Sequence, residues 1–479
     1  MNRRISIILC IGLLLALAAC GGTGDAKTPS TTTGGEVSQF MVGYSKVNIT
    51  PEYSIPLRGY GNPTERMSTG YYDYIYATCA AITDAEGNTV IVYGIDLTNA
   101  FSNCFPDFRQ KVADAQGIPV DNVHMSCSHM HSGCDMTVTS VPSVASYIRD
   151  MEKWLLEAAE LAMADRKPAT MQYATTYTEN LNFVRRYYRE DGTPAGDNYG
   201  LFSDSPIARH ESEVDNQLQL LKFLREDGKD IIMANFQTHP HRAGGSKNTN
   251  ITADIVGVFR TELENQLGAH VLYFTGPSGN VNPTSRIAEE NITKDYKEQG
   301  KALAKYAMDM EGSYTDIPVG PVRTTSIEFT SDADHTQDHK LIAAQQVQAW
   351  KKEGRTLDEC KEYMIDNGIN SFHAANAIIS KASEPATRTT GLWAFTVGDI
   401  SFCVIPFEMF DTNGMFIKEN SPFTATFLLT CANTHNTYLP SALGFQNGGY
   451  EVDQSKFGPG NGEKVADEYV AMLKLLKGE

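Results

Sequence analysis

Three apolar stretches of strand length each run into a side chain that binds metal. Residues 122–128 stop at His129, 231–236 lead to His239, and 400–405 lead to Glu408. A strand holds the residue at its carboxyl end rigidly, and such ends converge when strands share one edge. This placement limits the fold to one in which the three strand ends open on the same side. Imidazole nitrogen and carboxylate oxygen are both good partners for Zn²⁺.

The other elements mix hairpins and helices. A strand is expected at 40–47, and hairpins at 74–82 with 89–96, across 216–238, and at 391–397 with 400–405. Helical spacing of apolar residues predicts helices at 105–116, 144–164, 254–267, 294–310, 338–352 and 462–476. Trp154, Leu155 and Leu161 are expected on the buried face of the second. No regular βαβ alternation, internal repeat or Gly-rich phosphate loop is visible. The pattern predicts an α+β fold with mixed, largely antiparallel sheets flanked by helices, rather than a doubly wound sheet or a barrel.

The N-terminus reads as a targeting segment. Arg3 and Arg4 precede an apolar run at 7–17, and Leu17-Ala18-Ala19-Cys20 matches a bacterial lipoprotein cleavage site. The run is shorter than the roughly 20 residues a transmembrane helix needs. Residues 1–19 are therefore expected to be removed, and Cys20 to be lipidated. Residues 20–39 are rich in Gly, Thr and Ser and are expected to tether the rest, 40–479, to a membrane of the bacterial cell envelope, outside the cytoplasm. The net charge of −18 argues against nucleic-acid binding, which needs a basic face. Nothing points to a protein partner. Beyond Cys20 the cysteines are scattered and odd in number, which is no disulfide framework. Cys127 and Cys134 flank His129 and His131; they read as buried thiols, or as a bridge or metal pair.

Each candidate has an ordinary reading beside the functional one. His129 and His131 share a face in extended backbone, so one can bind metal while the other faces substrate. Alone, His-x-His also describes surface or core histidines. His239-Pro240-His241 is a second such pair. Glu408 fits a helix start, and Tyr438 fits a core tyrosine. Asp96, at another strand end, suits either a histidine-orienting role or a cap.

The order and flanks of these pieces resemble the neutral/alkaline ceramidase family. The likeness opens at Val42-Gly43-Tyr44-Ser45-Lys46-Val47-Asn48-Ile49-Thr50-Pro51. It continues through Pro56-Leu57-Arg58-Gly59-Tyr60-Gly61 and Gly94-Ile95-Asp96-Leu97. It is sharpest at Ser128-His129-Met130-His131-Ser132-Gly133, close to the family's Thr-His-Thr-His-Ser-Gly. It spans most of the chain from residue 40, and is poor near 330–385.

The resemblance implies that His129, His239, Glu408 and Tyr438 are zinc ligands. It also implies that His131 faces the substrate, and that Arg185, in Asn182-Phe183-Val184-Arg185, lines the site; a slip of one residue would bring Arg186 there instead. Three departures stand out. The family's Pro-Gly-Glu is Pro406-Phe407-Glu408. Its Gly-Asp-x-Ser-Pro is Gly279-Asn280-Val281-Asn282-Pro283, so Asn282 replaces the serine. The family's C-terminal β-rich domain finds no room after Tyr438. The activity implied is a surface-anchored, zinc-dependent amidohydrolase cleaving the amide of an N-acylated, lipid-like substrate with a zinc-activated water. In that scheme His131 is the proton donor, and Arg185 or Tyr438 stabilises the oxyanion. The alternatives are a deacylase or esterase for another acyl substrate, or a non-catalytic binding lipoprotein of the same fold.

Overall fold

The computed structural model describes residues 39–196, 203, 205–226 and 228–479. The expected leader and nearly all of the anchored tether lie outside the described residues. Among the described residues no helix is long and apolar enough to cross a membrane.

One succession of elements occurs three times. In the first unit, β1 (Met41–Asn48), β2 (Tyr76–Thr83) and β3 (Thr89–Ile95) pair antiparallel in turn. Helix α1 (Phe105–Gln116) then carries the chain back to β4 (Val123–Cys127), parallel to β3, and α2 (Pro142–Ala164) follows. The second unit repeats this with β5 (Lys167–Tyr177), β6 (Gln217–Arg225), β7 (Ile231–Phe236), α3 (Asp254–Leu267), β8 (His270–Thr275) and α4 (Tyr296–Asp309). The third uses β9 (Val322–Asp332), β10 (Thr387–Val397), β11 (Ile400–Val404), α5 (Asp411–Glu419), β12 (Ala425–Leu429) and α6 (Asn461–Lys477). Antiparallel neighbours need only a turn, but a parallel return needs a long crossover, which α1, α3 and α5 supply.

The first two units join through β1 and β5 into one sheet of order β8-β7-β6-β5-β1-β2-β3-β4. The third makes a separate sheet, β9-β10-β11-β12. Alternation along the strands sends Val42, Ile82, Val92, Phe223, Met233 and Phe274 to one face, where they meet Phe395, Phe402 and Phe427 of the smaller sheet. Phe395 stacks on Phe402 with ring centroids 4.4 Å apart. Each fully buried phenylalanine contributes roughly 2–3 kcal/mol by leaving water. The outer faces carry the helices: α1 and α2 on the first unit, α3 and α4 on the second, α5 and α6 on the third. The layers are thus helix, sheet, sheet, helix, and the expected α+β class is what the structure shows.

Local chemistry explains the element ends. Pro106 opens α1, where its missing N–H costs nothing, and Gly117 closes it in the left-handed region at φ 66°. Gly43 lies under α2; a Cβ there would meet the Ala162 carbonyl oxygen at 2.0 Å. Three inserted helices, Leu341–Lys352, Leu357–Asp366 and Phe372–Lys381, sit between β9 and β10 with a small core of their own.

Two long strands escape the sequence reading. Both β5 and β9 are polar and threonine-rich, with few fully buried positions, so no apolar run marks them. The threefold succession is also invisible in the sequence. Leu161 is 48% exposed, whereas Leu155 is buried as expected and Trp154 packs partly against the same core.

Candidate metal centre

The carboxyl ends of the three parallel pairs open on one site. His129 and His131 follow β4, His239 follows β7, Glu408 follows β11, and Tyr438 follows β12. Ligands bind beyond the carboxyl ends of parallel strands in open α/β sheets for the same reason: the crossovers leave a crevice there.

His129 and His239 are each aimed by the far nitrogen of the ring. The His129 Nδ1–H donates to the Thr98 carbonyl at 2.7 Å, and the His239 Nδ1–H to the Val281 carbonyl at 3.0 Å. A carbonyl can only accept, so Nε2 of each ring is turned inward, as in histidines that bind metal. His129 reaches this pose at φ 62°, a left-handed conformation costing roughly 1–2 kcal/mol, and its backbone N–H is held by the Leu97 carbonyl at 3.0 Å. Glu408 and Tyr438 lie side by side because Glu408–Met409 pairs in parallel with Tyr438–Leu439. Gly279 backs this pair: a Cβ there would meet the Glu408 carbonyl oxygen at 2.3 Å.

The groups converge closely. His129 Nε2 is 3.2 Å and His239 Nε2 3.5 Å from Glu408 Oε2. His131 Nε2 is 3.5 Å from His129 Nε2. His129, His131 and His239 each offer a nitrogen within 4.8 Å of the others, and no other trio of histidine, cysteine or carboxylate among the described residues does so. His239 Nε2 and Glu408 Oε2 are buried and have no hydrogen-bond partner. A buried polar atom left unsatisfied costs about 1–3 kcal/mol. A cation held by these atoms removes that cost, so the residues present fit a metal ion.

The electrostatics agree. Burial, with the Arg185 charge nearby, pushes His239 down to about 3. Burial and the neighbouring imidazoles hold His131 well below the usual histidine range. Both rings are neutral at pH 7, with lone pairs available. Burial alone would raise the Glu408 carboxyl, but the His129 charge beside it holds it well below the usual carboxylate range. For His129, burial is outweighed by Cys431 and Glu408, which carry it well up. Without a metal, a proton on His129 thus supplies positive charge beside Glu408.

Arg185 is the arginine at the site. Its Nη2–H donates to Tyr438 Oη at 3.1 Å, its Nη1–H to Asn282 Oδ1 at 3.3 Å, and its Nε–H to Glu451 Oε1 at 2.7 Å. Arg186 lies behind it, paired with Glu211 and Glu451. Tyr438 is raised well above the phenol range by burial and then by Glu408, so it stays a neutral hydroxyl. Asn282 also accepts from His241 Nε2 at 2.9 Å. Phe407 turns away and packs on Phe457, with centroids 5.2 Å apart, so its bulk leaves the site open.

The sequence expectations fare as follows. His129, His131, His239, Glu408, Tyr438 and Arg185 all come together. Asp96 touches no histidine; it pairs with Arg260 at 2.5 Å, and the Thr98 carbonyl orients His129 instead. Cys127 and Cys134 are buried and unbridged, and neither joins the group. Three residues went unread. Cys431 Sγ lies 3.3 Å from His129 Nδ1, and His435 Nε2 lies 3.8 Å from Glu408 Oε1. Both follow β12, whose apolar run 425–429 is the signal that would have found them. Glu451, which anchors Arg185, carried no signal.

The centre opens into a cleft of about 410 Å³, whose walls include Arg58, Tyr60, Asn99, His131, Tyr438 and Tyr450. A larger cleft of about 820 Å³, lined by Glu179, His210 and Glu290, holds no such histidine group. Chemistry, not volume, marks the smaller one as the site.

No protein-family model matches the chain, and no curated protein matches it in sequence. Solved structures do match in fold. Neutral ceramidase from Pseudomonas aeruginosa superposes with a TM-score of 0.67 at 16% identity, over 92% of this chain and 75% of that one. A ceramidase complexed with C2 gives 0.66 at 16% identity, with the same coverage. The motifs that resemble the neutral/alkaline ceramidases and the architecture now lead to the same place, and the chain has the fold of neutral ceramidase.

Proposed function

We propose that this chain is a zinc-dependent amidohydrolase that cleaves the amide of an N-acylated amine. The observation that carries the reading is the pair of buried, unpartnered atoms, His239 Nε2 and Glu408 Oε2, facing His129 and His131 at the strand ends of a ceramidase fold. Nε2 of His129 and His239, Oε2 of Glu408 and the Tyr438 oxygen would hold the ion. Zinc bound there supplies a Lewis acid and brings the pKa of water to about 7.

The chain's own groups do the rest. The neutral His131 ring faces the cluster through Nε2, accepts a proton there from the attacking water, and returns it to the departing amine nitrogen. Tyr438 is a hydroxyl donor for the oxyanion, and Arg185 fixes its orientation while Glu451 balances the arginine charge. The ceramidase neighbours support a lipid-like N-acyl substrate. The polar walls of the cleft favour a second reading, a deacylase for another N-acyl compound. The leader and Cys20 support lipid anchoring at a bacterial cell envelope, facing outside the cytoplasm.

The test is an assay of the full chain on ceramides and simpler N-acyl amines, with and without chelator. Hydrolysis that disappears with chelator and returns with zinc is expected. Bound zinc without chelator-sensitive hydrolysis would favour a binding lipoprotein.

A further inference from the structure

The short helix Tyr450–Gln454 backs the site, and it cannot place itself. So few residues do not hold a helix in water without packing from outside. Gly448 and Gly449 lead into it at φ 71° and 94°, a turn open to glycine and to few other residues. Yet this helix carries what orients the Tyr438 hydroxyl. Glu451, 1% exposed, binds Arg185 through Oε1 at 2.7 Å and Arg186 through Oε2 at 2.9 Å. Arg185 in turn donates to Tyr438 Oη at 3.1 Å. The Tyr450 ring meets that of Tyr438 edge-on, with centroids 5.7 Å apart. A shift of the helix therefore shifts the hydroxyl donor, and misplacement by about 1 Å can cost about 100-fold in rate.

The inserted helices hold the other side of this helix. It packs against Phe372–Lys381, the last of them. Lys381 Nζ–H donates to the Val452 carbonyl at 2.6 Å and to Asp334 Oδ2 at 2.6 Å. Gln454 Nε2–H donates to His373 Nε2, and the His373 ring lies 5.4 Å from that of Tyr450. Lys381 and Asp334 are both buried. A buried ion pair adds little net stability over apolar residues of the same volume, because both charges lose their water. What this pair does achieve is to fix an ammonium on one carbonyl, next to the residue that binds Arg185. The tie comes from outside the frame of strand ends. The inserted helices fall within 330–385, where the likeness to the ceramidases is poor.

We infer that Lys381 is a positioning residue for the amide hydrolysis proposed above. Through the Val452 carbonyl it fixes the helix Tyr450–Gln454, and through Glu451 and Arg185 it fixes the aim of the Tyr438 hydroxyl. The inference rests on the amidohydrolase reading and adds a part to the same site. The inserted helices then act as a brace behind the oxyanion donor.

The test uses the zinc-loaded full chain with two probes, N-hexanoylsphingosine and N-hexanoylhexylamine. Lys381→Met alone would strand the buried Asp334 charge, so the variant is Lys381→Met/Asp334→Asn. It is neutral at both positions, and the asparagine keeps the Oδ1 that accepts from Thr336. Stoichiometric zinc, KM within about twofold of wild type and kcat lower by about tenfold or more are expected. The same two changes are then made in Tyr438→Phe, which keeps His129, His239 and Glu408 for the ion and lacks the hydroxyl. There they are expected to alter kcat by less than about twofold, since effects that share one route do not add. A kcat equal to wild type overturns the inference and leaves the amidohydrolase standing. So does an equal fall in both backgrounds, the mark of general loosening, or a fall that tracks lost zinc. No chelator-sensitive turnover of either probe by wild type overturns both.

Discussion

His131 is where chemistry and coordination must be told apart, because its ring lies as close to the cluster as a ligand and is also poised to carry a proton. His131→Gln is expected to keep the metal and to slow turnover by about 100- to 10,000-fold, the usual worth of a positioned acid or base. Loss of metal in that variant would make it a fifth ligand, beside His129, His239, Glu408 and Tyr438. Arg185 spans Tyr438, Asn282 and Glu451, and removing it leaves the Glu451 carboxylate without one of its two arginines. Arg185→Ala should lower unfolding stability by about 3–5 kcal/mol, the range for a broken buried pair; urea unfolding measures it. Asp254 tests burial away from the metal. It is pushed up to about 7 by burial, against the backbone N–H groups of Ile255 and Ala243. A carboxyl raised in the folded state keeps its proton there after the unfolded chain has lost it. Its contribution is therefore complete below the unfolded value and declines as pH rises to the folded one. With chelator present, the stability of wild type relative to Asp254→Asn should fall by up to about 1.4 kcal/mol per pH unit between roughly pH 4 and 7, then level off. A flat difference across that range would contradict the burial argument.

At the scale of elements, the site was legible where apolar strands end and obscure elsewhere. The stretches before His129, His239 and Glu408 are almost wholly buried, so hydrophobicity betrays them and the polar residue after each stands out. Strands β5 and β9 are each eleven residues long, yet each buries few positions fully, because one lies at the junction of two units and the other on the rim of the small sheet. Threonine serves a pleated, half-exposed surface well and leaves no apolar signature. The three-unit succession was hidden for another reason. Equivalent strand ends carry different residues, such as His239 and Glu408, because each contributes a different part of one centre. Close approach is the other element-scale constraint. Gly43→Val should destabilise the chain by about 1–3 kcal/mol, since α2 has backbone, not a flexible side chain, in the way; the unfolding midpoint reads this directly.

For the whole molecule, the two sheets and their crossovers form a frame whose strand ends hold a preorganised cluster, and the folded state retains buried polar atoms that a bound ion would satisfy. An ion that binds the folded chain alone stabilises it by mass action, about 2.7 kcal/mol at a hundredfold excess over its Kd. The midpoint of thermal unfolding should therefore rise with zinc and fall with chelator, and His239→Ala should remove the response. Metal content tests the account most directly. The full chain, purified and equilibrated with zinc, is analysed beside His129→Ala, His239→Ala, Glu408→Ala and, as a control from the larger cleft, His210→Ala. The prediction is stoichiometric zinc in wild type and His210→Ala, and its loss in the other three. Zinc absent from the wild type, or equally present in His129→Ala, would contradict the centre described here.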